Sequence, residues 1–165
     1  MIRIIGTGSP FGDDACGLVA ARQLAQDPPP GAEVVVADRP GAGLIELVDG
    51  VEAALVIDAV RSGAPPGTIH DLDLRKLPGS FLRPVSSHDL GVAEALQLAD
   101  ALGRLPAHGR LLGIEIADPS SAPSEEAARA IAEVVYRARR WVRSLCPPSR
   151  PGARRVRRAP PPDGR

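Results

Sequence analysis

The chain has 165 residues, a formal net charge of zero and an aromatic content of 2%. This length accommodates one domain, whose core must consist mainly of Leu, Val, Ile and Ala because aromatic residues are so scarce. The charge is unevenly distributed. Residues 150–165 contain six arginines and one aspartate, so that 14 basic and 19 acidic residues remain in 1–149, a net charge of −5. An acidic folded part argues against a nucleic-acid-binding protein.

The composition also bounds the organisation of the chain. Residues 147–165 combine Arg, Pro and Gly without periodicity, which predicts a disordered tail after a single domain over residues 1–146. Cys16 and Cys146 form neither a CxxC motif nor a disulfide framework. The N-terminus lacks the apolar core of a signal peptide, and no apolar run approaches the ~20 residues that cross a membrane. We therefore expect a soluble, reduced, cytoplasmic protein that acts as a monomer.

A glycine-rich turn with the sequence GTGSPFGDDACG occupies residues 6–17. It follows an apolar strand predicted over residues 2–6 and precedes an amphipathic helix that begins near Asp13 or Asp14. Helix N-terminal capping explains one aspartate at this place, but it does not require two in succession. A turn that binds phosphate avoids carboxylates, because two anions repel each other. The pair of acids therefore predicts a site for a cation.

The same turn leaves a nucleotide-binding hypothesis open. The dinucleotide fingerprint requires glycines at its first, third and sixth positions, and Gly6 and Gly8 meet the first two requirements. Phe11 stands in place of the third glycine. Asp38 follows the next strand at about the distance of a ribose-binding acid, so a nucleotide- or cofactor-binding α/β module remains an alternative.

Strands and helices alternate along the rest of the sequence. The apolar patterns predict further strands over residues 33–37, 53–58, 68–74 and 111–116, the fourth strand lying at a sheet edge, and helices over residues 44–48, 90–102 and 124–145. Ser86 and Asp89 have the spacing of a capping box for the helix over 90–102, and Ser124 fits the N-cap of the last helix. This order predicts an α/β fold, a three-layer α/β/α sandwich with a mostly parallel sheet.

Asp14, Asp58 and His88 are the candidate functional residues. Each comes just after a predicted strand or at the start of a predicted helix, and in a parallel sheet these points share one edge. Two carboxylates and an imidazole suit nickel or zinc, and without a metal they would activate a water molecule by general base chemistry.

The remaining cysteine and histidines are weaker candidates. Cys16 lies near the acidic turn, but Asp13 and Asp14 would raise its pKa, so a packed small hydrophobic residue is the better interpretation. We expect His70, in the edge strand, and His108, in a loop, to lie at the surface.

Four segments, taken together and in order, resemble the motifs of hydrogenase maturation proteases. They are GDDACG at 12–17, GAG at 41–43, IDA at 57–59 and SHDLG at 87–91. The resemblance covers roughly residues 1–145, and it implies a twisted, five-stranded sheet. It also implies that Asp14, Asp58 and His88 form a nickel-recognition site.

The resemblance further implies an activity. The expected protein is an aspartic-type endopeptidase that removes a C-terminal peptide from the large-subunit precursor of nickel-iron hydrogenase after nickel has been inserted. The nickel is carried by the substrate, and the free protease need contain no metal. A non-catalytic metal-sensing maturation factor, which keeps the three ligands and has lost proteolysis, is a further alternative.

Overall fold

A computed structural model of the protein describes residues 1–78, 90–118 and 124–146. The strands are β1 (Ile2–Gly8), β2 (Ala32–Asp38), β3 (Ala53–Val60), β4 (Ile69–Asp73) and β5 (His108–Glu115). The helices are α1 (Cys16–Gln26), α2 (Gly43–Val48), α3 (Val92–Ala101) and α4 (Glu125–Leu145), and a short 3₁₀ helix (Gly12–Ala15) precedes α1. The predicted tail lies outside the described residues, so the predicted domain boundary stays a prediction.

The five strands of the described ranges form one sheet in the order β2-β1-β3-β5-β4. All neighbours are parallel except β4 and β5, which are antiparallel. The chain leaves β1 toward β2 on one side and then crosses to β3 on the other side of β1. In open α/β sheets, ligands bind beyond the carboxyl ends of the strands at such a switch point. We therefore expect a functional site at the carboxyl ends of β1 and β3.

Helices cover both faces of the sheet and form two separate apolar cores. Successive residues of a strand point to opposite faces, so Ile4 and Leu55 enter one core while Ile5 and Val56 enter the other. The first core is closed by α1 and α4, and the second by α2 and α3. The predicted three-layer α/β/α sandwich with a mostly parallel sheet is confirmed.

The last helix shows how the sequence determines one of these layers. Ser124 is its N-cap, and the Ser124 side chain accepts a hydrogen bond from the backbone N–H of Ala127 at 3.1 Å. Its apolar residues recur at helical spacing and are buried in the first core, whereas most of its arginines and glutamates are exposed. The predicted start and end of this helix are both confirmed.

Other predicted boundaries need correction. Helix α3 begins at Val92 with Gly91 as its N-cap, so the predicted start at Leu90 is wrong. The predicted capping box of Ser86 and Asp89 lies outside the described residues. Strand β5 begins at His108, because backbone pairing with β3 extends to Ala53. None of the helices in the described part of the chain combines the length and the apolar character needed to cross a bilayer.

Candidate active site

An open cleft of about 970 Å³ lies beyond the carboxyl ends of the central strands. Asp14 and Asp58 both line it, together with Gly8 at the end of β1. The cleft is also lined by residues 90–94, at the start of α3, and by residues 59–64, which follow Asp58. The structure therefore brings two of the three predicted site residues into one cavity at the switch point of the sheet.

Asp58 occupies the position where the central pair of strands separates. Strand β1 pairs with β3 only as far as Ile57, whereas β5 continues to pair with β3 up to Val60. The predicted strand end at Asp58 is therefore two residues short, but Asp58 is the first residue of β3 beyond the β1 ladder. Its Oδ1 accepts a hydrogen bond from the hydroxyl of the buried Thr7 at 2.8 Å.

The carboxyl group of Asp58 has a perturbed proton affinity. Burial and, to a smaller extent, the nearby charge of Asp14 raise its pKa from 3.8 to about 7. Hydrogen bonds from Thr7 and from the backbone of Ala59 act in the opposite direction without cancelling it. A carboxyl group with a pKa near neutrality, in a cleft, is typical of catalytic and binding sites.

The two acids of the glycine-rich turn have different tasks. Asp14 Oδ2 accepts a hydrogen bond from the backbone N–H of Ser9 at 2.8 Å, while the side chain of Asp14 lines the cleft. Asp13 is buried, and its Oδ1 accepts a hydrogen bond from the backbone N–H of Ser124 at 2.8 Å, which ties the turn to the start of α4. Both lie inside the 3₁₀ helix rather than at its N-cap, Phe11. The helix-capping interpretation is therefore wrong for both.

The glycines of the turn allow α1 to lie very close to the sheet. A Cβ atom at Gly17 would collide with the backbone carbonyl oxygens of Thr7 and Ile57, and one at Gly6 would collide with that of Gly17. Gly8 has φ +140°, a conformation that other residues rarely adopt. Packing thus accounts for the GxG pattern, and the same close approach brings Asp14 toward the end of β3.

The prediction for His88 lies outside the described residues. The described chain resumes at Leu90, and Leu90 and Gly91 both line the cleft, so the segment that leads into α3 ends at the site. Within the described ranges, no group of three or more His, Cys, Asp or Glu residues is arranged to hold a metal ion. Asp14 and Asp58 are the described members of the predicted set.

Cys16 is buried, and its thiol does not suit nucleophilic chemistry. Burial, together with the charges of Asp13 and Asp14, raises its pKa to about 12. At neutral pH the side chain is therefore a thiol rather than the reactive thiolate. The predicted role of Cys16 as a packed small hydrophobic residue agrees with its place in the first core.

A second polar cluster, which the sequence did not predict, lies beside the cleft and is centred on the fully buried Glu115. Its Oε1 accepts hydrogen bonds from the backbone N–H groups of Ser62 at 2.8 Å and Gly63 at 2.9 Å. Its Oε2 lies 2.8 Å from the hydroxyl of Ser62 and 2.9 Å from His70 Nε2. His70 is therefore not the surface residue that we predicted. The available signal was a single acid within the apolar run of β5.

The charge state of Glu115 follows from these contacts. Burial acts to raise its pKa, but the hydrogen bonds from the Ser62 side chain, His70 and the backbone outweigh burial and lower the pKa below its ordinary value. Glu115 is therefore ionised at neutral pH and can only accept hydrogen bonds, so the Nε2 atom of His70 carries the hydrogen. We call Glu115, Ser62, Gly63 and His70 the Glu115 cluster.

A model of the hydrogenase maturation protease family matches residues 20–141 of the chain. The chain belongs to the hydrogenase maturation protease family. This match includes Asp58 and the segment around His88, while Asp14 lies before it. Membership places the chain among the peptidases, and therefore the hydrolases, of hydrogenase maturation.

Individual relatives agree with the family model. MJ0253 of Methanocaldococcus jannaschii, a protein assigned to the same kind of protease, is 31% identical over 140 residues, covering 81% of this chain and 91% of that protein. The hydrogenase expression/formation protein HupD of Thiocapsa roseopersicina is 36% identical over 77 residues, which span 46% of this chain and 34% of HupD.

Solved structures extend the comparison to the fold. The hydrogenase maturating endopeptidase HybD from E. coli superimposes with a TM-score of 0.74 at 23% identity, covering 87% of this chain and 93% of HybD. At this identity the likeness concerns the fold alone.

The nucleotide hypothesis depends on Asp38. This acid is exposed and forms an ion pair with Arg39 at 2.8 Å, and it does not line the cleft.

Proposed function

We propose that this protease is an endopeptidase that removes a C-terminal peptide from a hydrogenase large-subunit precursor carrying nickel. In this proposal Asp14, Asp58 and His88 contact the nickel of the substrate, so that the enzyme binds productively only after the metal has been inserted. The observation that carries the proposal is the convergence of Asp14 and Asp58 in one cleft of a chain that belongs to this protease family.

The two carboxylates suit contact with a cation. Burial and the charge of Asp14 raise the pKa of Asp58 to about 7, which means that the free site lacks enough positive charge to offset its acids. The described hydrogen bonds from Thr7 and Ser9 orient the carboxylates of Asp58 and Asp14. Because each carboxylate has about four lone-pair positions, both retain acceptor capacity for a metal ion.

A nickel ion brought by the substrate would supply Lewis acidity at the scissile carbonyl. The residues of this chain would orient the substrate and the attacking water molecule. Asp58 would orient the attacking water molecule and accept a proton from it, which fits an aspartic-type peptidase. Hydrolysis then breaks the C–N bond of the peptide, and the amine of the released C-terminal peptide takes up a proton.

The test is cleavage of a nickel-loaded hydrogenase large-subunit precursor, followed by electrophoresis and mass spectrometry. Wild-type protein should release a C-terminal peptide from the loaded precursor and leave the nickel-free precursor intact. Asp58→Ala and His88→Ala should abolish the cleavage. A precursor that remains intact with wild-type protein under both conditions would contradict the proposal.

Two control variants resemble the test variants but lie away from the cleft. Glu46→Gln changes an exposed acid on α2, and His108→Ala changes an exposed histidine at the opposite end of β5. Both should cleave at the wild-type rate. Nickel-dependent binding of the precursor to wild-type protein without cleavage would instead favour the metal-sensing alternative.

A further inference from the structure

Arg61 lies between two anchored pieces of backbone on the wall of the cleft. Before it, Val60 is paired with Glu115, and the carbonyl of Val60 accepts a hydrogen bond from the N–H of Ile116 at 3.0 Å. After it, the N–H groups of Ser62 and Gly63 donate to the carboxylate of Glu115. The Glu115 cluster therefore fixes the direction in which the chain presents the side chain of Arg61.

Fixing such a short segment with a buried carboxylate is costly, because an ion loses its hydration when it is buried. Glu115 is only 2% exposed, and all the hydrogen bonds described for its side chain go to Ser62, Gly63 and His70. The segment that it immobilises begins three residues after Asp58. This location indicates that the segment contributes to the function of the site, because ordinary surface turns keep their conformation without a buried charged group.

The guanidinium of Arg61 forms no ion pair within the described part of the chain. Arg61 is exposed and lines the cleft. No carboxylate of the described ranges, including Asp14 and Asp58, lies within ion-pair distance of it. Arg39, on the same cleft, differs because it pairs with Asp38. The cleft is therefore lined by the two acids Asp14 and Asp58 and by the guanidinium of Arg61, which has no ion-pair partner among the described residues.

We propose that Arg61 binds a carboxylate in the C-terminal segment of the substrate polypeptide, while Asp14 and Asp58 face the substrate's metal. This inference rests on the proposed function. A guanidinium presents a planar set of donors that matches a carboxylate through two parallel hydrogen bonds, so the fixed presentation of Arg61 favours binding. Opposite charges at different positions of one cleft also favour one direction of the substrate, because the reversed direction brings like charges together.

The test measures the kinetics of precursor cleavage for Arg61→Met, Arg61→Lys and the control Arg22→Met. Arg22 is an exposed arginine on α1 that does not line the cleft. Loss of a charge-assisted contact to substrate should raise KM by about tenfold to hundredfold in Arg61→Met, with a smaller rise in Arg61→Lys and little change in kcat. Arg22→Met should match the wild type. Urea midpoints equal to that of the wild type would show that the variants fold.

The source of the carboxylate is identified with three forms of the nickel-loaded precursor: unchanged, with a C-terminal amide, and with the acidic side chains of its C-terminal segment changed to amides. The form that lacks the bound carboxylate should have a raised KM with wild-type protein and show no further rise with Arg61→Met. An Arg61→Met protein with the wild-type KM, or one that weakens all three forms equally, would overturn this inference and leave the proposed function standing. If wild-type protein neither binds nor cleaves the precursor, the proposed function is wrong and this inference is wrong with it.

Discussion

Replacing Asp58 by asparagine tests whether burial imposes a cost on the folded protein. Asparagine has nearly the same shape and keeps an oxygen that can accept the hydrogen bond from Thr7, but it cannot ionise. The wild-type carboxyl group has its pKa raised by burial from 3.8 to about 7. The difference between the variant and the wild type therefore isolates the charge of Asp58.

The expected magnitude follows from the pKa. An increase of about three units corresponds to about 4 kcal/mol, at about 1.4 kcal/mol per unit. Between pH 4 and 7 the folded state retains a proton that the unfolded state has released, so the free energy of unfolding of the wild type falls as the pH rises. Above pH 7 the full cost is present. Relative to the wild type, Asp58→Asn should thus gain about 4 kcal/mol of stability between pH 4 and pH 8.

The assay is urea denaturation across this pH range, followed by circular dichroism and by the fluorescence of the single tryptophan, Trp141. Glu46→Gln, a change to an exposed carboxylate on α2, is the matched control and should show no comparable trend. Taking the difference between each variant and the wild type removes the titration of all other groups that do not contact the site. A difference for Asp58→Asn that changes by less than about 1 kcal/mol across the range would refute the reasoning.

Three further predictions concern the structure around the site. Gly17→Ala should lower the free energy of unfolding, measured by urea denaturation, by about 2 kcal/mol or more, because its Cβ atom has no space against the sheet. In the control Gly43→Ala the Cβ atom would meet no other atom within 4 Å, so the free energy of unfolding should hardly change. Asp13→Ala should cost about 1–3 kcal/mol by leaving a backbone N–H at the start of α4 without its acceptor, and Asp13→Asn should cost less; equal losses would contradict this role. Iodoacetamide at pH 8 should modify Cys146 and leave Cys16 intact in native protein by mass spectrometry, and equal labelling rates would contradict the pKa of about 12.

The sequence predicts the fold well because its signals are local and agree with one another. Apolar runs bounded by Gly, Pro and Asp locate all five strands, and their alternation with helical patterns leaves few arrangements other than a parallel α/β sheet. The placement of Asp14 and Asp58 in one cleft was predictable for the same reason, since each lies near the carboxyl end of a central strand. The cap of α4 at Ser124 was predictable from residue type and position.

The errors arise where a long-range contact decides the outcome. Asp13 has the sequence features of a helix cap, but it binds the backbone of Ser124, which is more than a hundred residues away. His70 has the sequence context of a surface residue in an edge strand, but it donates to the buried Glu115. A local sequence pattern cannot identify a hydrogen-bond partner that comes close only when the chain folds. Glu115 itself was detectable only as a charge in an apolar strand.

The strand geometry connects the stability of this protein with its proposed substrate recognition. Because β1 stops pairing with β3 at Ile57, Asp58 lines the cleft while remaining partly buried, and burial and the charge of Asp14 raise its pKa to about 7. Under the proposed function, a metal ion delivered by the substrate offsets the cost of ionising Asp58. A precursor without metal brings no such compensation. This effect can contribute at most about 4 kcal/mol to the preference for the nickel-loaded precursor over the metal-free one, which is roughly a thousandfold in affinity. The preference is greatest above pH 7, where Asp58 is already ionised in the free enzyme. The same buried carboxylate that weakens the free protein would thereby allow it to distinguish loaded from unloaded substrate.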